Sequence, residues 1–123
     1  MNDELGYPPL NRDDFLDPEL RKAKALVEWL VQVLNNHLYP YSHTIKMVDS
    51  EECLVIKNKD IFNFWRLQEP FPISSIQAMK KMLEAGGISP QRPVVHSYIN
   101  KSVRYMNCTA YKTGSFPRKL IIH

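Results

Sequence analysis

The chain has 123 residues, 44% of them apolar and 24% charged, and a formal net charge of +3. That length supports one hydrophobic core and not two, and the ordinary apolar fraction excludes wholesale disorder. No apolar run approaches the ~20 residues that span a bilayer, and the acidic start MNDELGYPPLNRDD lacks the apolar stretch of a secretory signal. The expected setting is therefore cytoplasmic or nuclear, with no membrane partner.

Residues 1–16, with two adjacent prolines and scattered charges, read as an extended N-terminal arm ahead of a single α+β domain over residues 17–123. Asp17-Pro18-Glu19 is a strong helix start: Asp caps free N–H groups, Pro fits the first turn, and Glu meets the positive end of the helix dipole. Leu20, Ala23, Val27, Leu30, Val31, Leu34 and Leu38 then recur at spacings of three and four, which predicts a deeply packed helix from about Pro18 to Leu38, ended by Pro40.

Short strands are expected at His43–Val48 and Glu52–Lys57, with a third at Ile61–Leu67, where a short apolar run fits a helix equally. Asp49-Ser50-Glu51 and Asn58-Lys59-Asp60 supply turn chemistry between them. A second helix follows the prolines at 70 and 72. Ser74 and Gln77 offer a capping box, Ile76, Met79, Met82 and Leu83 a buried stripe, and Gly86-Gly87 a stop. Three further strands are expected at Val94–Ile99, Val103–Lys112 and Lys119–His123. The predicted order is α-β-β-β-α-β-β-β, with two helices on one face of an antiparallel or mixed sheet.

Helix, three strands, helix, strand is similar to the core order of the PD-(D/E)XK nucleases. Their chemistry uses an acid-x-Lys triplet to hold a metal and orient water. No Asp or Glu in this chain is followed two residues later by Lys, so the motif is missing although Asp49, Glu52, Asp60 and Lys57 are at hand. His37, His43, His96 and His123 show no spacing that favours paired acid–base catalysis over structural roles. Cys53 and Cys108 form no CxxC and have no histidine close by, so two buried free thiols are expected and no zinc site. No catalytic residue, metal ligand or cofactor is assigned, and an enzyme is the less favoured reading.

Charge is the most informative feature. Residues 1–69 carry 8 Lys/Arg and 12 Asp/Glu, a balance of −4; residues 70–123 carry 8 Lys/Arg and Glu84 alone, a balance of +7. From Arg92 to His123 there are six Lys/Arg and no acid. Such polarity points to an anionic partner or to internal matching of the two halves. Alternation along Val103–Lys112 puts Tyr105, Asn107, Thr109 and Tyr111 on one face, and Tyr98 belongs to the preceding strand. Rings for base stacking ringed by cations suit nucleic acid.

The expected function is thus non-catalytic binding of DNA or RNA through a basic, tyrosine-rich C-terminal sheet region. Lys101, Arg104, Lys112, Arg118 and Lys119 are the phosphate contacts, Arg92 is peripheral, and Tyr98, Tyr105 and Tyr111 are the stacking residues. The alternative is a protein–protein interaction module that meets an acidic protein surface or forms a homodimer, and a small nuclease is third. Burial of Tyr105 and Tyr111 beneath a helix would favour the alternative.

Overall fold

The computed structural model describes residues 17–68, 71–100 and 103–122, those from 93 to 107 by their backbone alone. The order is helix α1 (Pro18–Asn35), strands β1 (His43–Val48) and β2 (Glu51–Ile56), helices α2 (Asn58–Gln68) and α3 (Ile76–Ala85), then strands β3 (Pro90–Asn100) and β4 (Val103–Lys112). Among the described residues, three helices and one four-stranded antiparallel sheet make an α+β fold, in the strand order β1-β2-β4-β3. The expected order with two helices and six strands is corrected at two places, and the expected arm over residues 1–16 lies outside the described residues.

The first correction is at Ile61–Leu67, which is helical. Asn58, Ile61 and Trp65 are its buried positions, at spacings of three and four, and the chain turns into the helix as Lys57 C=O accepts from the N–H groups of Asp60 and Ile61. The turn expected at Asn58-Lys59-Asp60 is the first turn of α2. The second correction is at the C-terminus. Residues 119–122 form no strand, because the Asn35 side chain provides what a neighbouring strand would. Its Nδ2 donates to Lys119 O at 3.0 Å, and its Oδ1 accepts from Ile121 N at 2.8 Å.

Helix α1 starts as its sequence dictates: Asp17 is the cap, and its Oδ1 accepts from Glu19 N at 2.7 Å and Leu20 N at 3.2 Å. It ends three residues before Leu38. Leu38 N donates to Val33 O and His37 N to Leu34 O, a Schellman closure that holds His37 at φ 57°. Leu38 therefore leaves the stripe and is exposed, while Ala23, Leu26, Val27, Leu30, Val31, Val33 and Leu34 are buried. Helix α3 closes in the same way, with Ile88 N on Leu83 O and Gly87 N on Glu84 O, and Gly87 takes φ 107°. Its cap is Ser75 rather than Ser74: Ser75 Oγ accepts from Ala78 N at 3.1 Å.

The helices cover the sheet face that carries Leu54, Ile56 and Tyr111, and Trp65 sits at the centre of this core beneath Trp29 and Phe71. Trp65 Nε1 donates to Phe71 O at 2.8 Å, which ties the α2–α3 connection down. Cys53, Val55, Cys108 and Ala110 form a second, smaller cluster on the other face. The sheet is curled, for β3 comes close to β1 and β2 although neither is its hydrogen-bonded neighbour. Arg92 at the start of β3 reaches Asp49 in the β1–β2 turn, Nε to Oδ2 at 2.7 Å.

Candidate nucleic-acid interface

β4 divides into two parts. Its last four residues, 109–112, pair with β2 in the register Ile56↔Thr109, Val55↔Ala110, Leu54↔Tyr111 and Cys53↔Lys112. The part from Val103 to Cys108 pairs with β3 alone, with Ser97↔Tyr105, Tyr98↔Arg104 and Asn100↔Val103. Past the last β2 residue the structure is thus a two-stranded antiparallel ribbon. Shifts of register between Pro90 and Asn100 mark bulges along β3, which add twist.

The expected site residues fall into two groups. Tyr98, Arg104 and Tyr105 all belong to the ribbon, but the register puts Tyr98 opposite Arg104 and Tyr105 opposite Ser97, successive positions that alternate between its two faces. Lys101 lies outside the described residues. Lys112 stands at the opposite end of β4, roughly 30 Å from Val103 at ~3.3 Å per residue; it is half-buried, and its N–H donates to Ser89 O. Arg118 and Lys119 belong to the C-terminal segment beside α1. Arg118 Nη1 bonds Glu28 Oε1 at 2.7 Å. Lys119 is exposed, and its carbonyl is held by Asn35.

Tyr111 does not suit the role expected of it. It is 2% exposed, on the face beneath the helices, and its hydroxyl donates to Asn58 Oδ1 at the start of α2. Asn58 Nδ2 in turn donates to Thr109 Oγ1 at 2.8 Å, so three buried polar side chains satisfy one another. Burial pushes the Tyr111 hydroxyl's pKa well above its ordinary value of 10, against the lowering effect of the Asn58 and Thr109 hydrogen bonds. A ring so placed has no face for a base. Alternation assigned Tyr111 to an open face; the helices, among them α2 where the sequence left strand and helix both open, lie on that face.

Two of the basic residues are matched to acids of the first half, Arg92 to Asp49 and Arg118 to Glu28. Part of the charge polarity is therefore internal complementarity. A cleft of about 510 Å³ opens between the C-terminal segment and the β1–β2 hairpin, lined by Ile45, Glu52, Thr113, Arg118 and Lys119 among others. Glu52 stands in it and accepts from Thr113 Oγ1 at 2.7 Å, so the cleft is not built for a polyanion.

No protein-family model, no curated protein and no solved structure matches this chain. Among the described residues, no three His, Cys, Asp or Glu side chains gather into a metal-binding group, and no helix is long and apolar enough to cross a membrane. Cys53 and Cys108 are buried and are not joined in a disulfide. The register puts Cys108 level with Lys57, four positions from Cys53 and so ~13 Å along the strands, beyond the span of a disulfide.

Proposed function

We propose that this protein binds nucleic acid, without chemistry of its own, through the β3–β4 ribbon. One observation carries the reading: the strand pair that runs on past β2 is built from a stretch with no Asp or Glu, and it pairs Tyr98 with Arg104 on one face and carries Tyr105 on the other. A two-stranded antiparallel ribbon has the dimensions of the DNA major groove, and its rings offer stacking surfaces to unpaired bases. Lys101 and Arg104 are the proposed phosphate contacts, with Lys112 and Lys119 as outlying cations. Arg118 contributes less because its charge is shared with Glu28, and Tyr111 is withdrawn from the set. The test is binding of labelled single- and double-stranded DNA and RNA at low salt by the wild type and by Arg104→Glu.

A second reading, a protein-interaction module, is favoured by the burial of Tyr111 and by the pairing of Arg92 and Arg118 with acids of the first half. It gains if the oligonucleotides fail to bind while the fold is intact.

A further inference from the structure

β1 is an edge strand: β2 pairs with one side of it, and no strand of the described residues pairs with the other. The two-residue turn Asp49–Ser50, with φ of 50° and 69°, fixes which of its backbone groups are spent. Such a turn closes on a hydrogen-bonded pair, here Val48↔Glu51, so Lys46↔Cys53 and Thr44↔Val55 are hydrogen-bonded pairs as well. The N–H and C=O groups of His43, Ile45 and Met47 point away from β2, toward the open edge. His43 and Ile45 are half-buried, and Met47 is 62% exposed.

We infer that this edge pairs with the β1 edge of a second copy of the chain, antiparallel about a two-fold axis through Ile45. In that register HTIKMV pairs with itself without placing like charges opposite each other. Ile45 faces Ile45 of the other copy, His43 faces Met47, and Thr44 faces Lys46. Roughly six backbone hydrogen bonds then form from groups that point away from β2. The alternative register centred on Lys46 puts two lysines opposite each other, which is unfavourable. In the Ile45-centred register the apolar members lie together on the helix side, where Ile45 already packs against the core. Thr44 and Lys46 form the closely spaced non-hydrogen-bonded pairs on the other side. The union makes one continuous sheet from two four-stranded halves and covers an edge that would otherwise invite unspecific pairing.

Sedimentation equilibrium of the full chain, from micromolar to near-millimolar concentration, tests this. The wild type is expected to be a dimer at the upper end. Met47→Pro removes an outward N–H without touching a β1–β2 hydrogen bond, so it should give a monomer with an unchanged circular dichroism spectrum. Thr44→Lys places a lysine opposite Lys46 twice per dimer and should weaken dimerisation roughly 2- to 30-fold, and Thr44→Glu should strengthen it by a similar factor. The Thr44 pair keeps the inference testable even if Met47→Pro fails to fold. A wild type that stays monomeric throughout, or a dimer indifferent to both Thr44 substitutions, overturns it.

Discussion

The Tyr111 hydroxyl donates to Asn58 Oδ1, and this contact joins β4 to the first turn of α2 across 53 positions of sequence. With Thr109 it forms a closed buried network on the face the helices cover. Such a network fixes α2 on the sheet because each member would cost free energy if left alone. Tyr111→Phe should therefore destabilise the fold by about 1–3 kcal/mol, since it strands a buried carbonyl oxygen. Oligonucleotide affinity of the folded fraction should stay unchanged. Denaturant melts alongside a binding titration check both halves.

The α1–α3 crossing supplies a second prediction. A Cβ on Gly86 would come within 2.6 Å of Val27 Cγ2 and 2.9 Å of Ala23 O. A backbone oxygen cannot move aside as a side chain can, so Gly86→Ala should cost on the order of 1–3 kcal/mol. His37→Gly, at a left-handed position that closes α1, should act in the opposite sense by roughly 0.4–1 kcal/mol. Thermal unfolding of the two variants distinguishes them by sign.

Alkaline pH should weaken the fold. Burial raises Cys108 from 9.0 to about 11, and it raises Cys53 and Tyr111 as well. In each case the native state holds its proton to higher pH than the unfolded chain. Their contribution is thus fully present below about pH 9 and is lost progressively as pH rises through the native values. Chemical denaturation from pH 7 to 11 should show a plateau followed by a fall. Stability that rises over that range contradicts the assignment. Both thiols should also resist alkylation in the native protein and react in denaturant, with no dependence on reductant.

How much of this was legible in the sequence depends on how far each element's signals are local. Asp17-Pro18-Glu19 and Asp49-Ser50 act within a turn of themselves, so the start of α1, both bounds of β1 and the β1–β2 hairpin follow from them. Val103–Lys112 likewise stands as a strand with its bounds unchanged. IFNFWRL was ambiguous because seven residues do not reveal a period, and what decides it is distant: Asn58 finds Thr109 and Tyr111 only after β4 is in place. The final segment was misread for a similar reason. LII has the composition of a strand, but its hydrogen-bonding neighbour is one asparagine side chain 84 and 86 positions away. Loss of Tyr111 from the expected site follows from the same undecided segment, because Asn58 at the start of α2 takes up its hydroxyl. The excess of cations after Pro70, by contrast, needed only composition, and the pairings of Arg92 and Arg118 with acids were invisible without the fold.

Tyr98 and Tyr105, the two rings the register leaves on the ribbon, carry the next prediction. If bases stack on them, Tyr98→Ala and Tyr105→Ala should each weaken single-strand binding by about 1–3 kcal/mol, and duplex binding by less. Equal effects on single strands and duplex would point to groove insertion of the ribbon instead of stacking.

The central claim is that the acid-free ribbon meets phosphate, and the salt dependence of oligonucleotide binding tests it most directly. Each neutralised phosphate releases condensed counterion, so two to four contacts give a log–log slope of roughly −1.5 to −3.5. The expected slope lies in that range for the wild type, is shallower for Arg104→Glu, and is unchanged for Arg92→Ala, whose cation is already paired with Asp49. Absence of binding at low salt, or a slope that Arg104→Glu leaves unchanged, contradicts it.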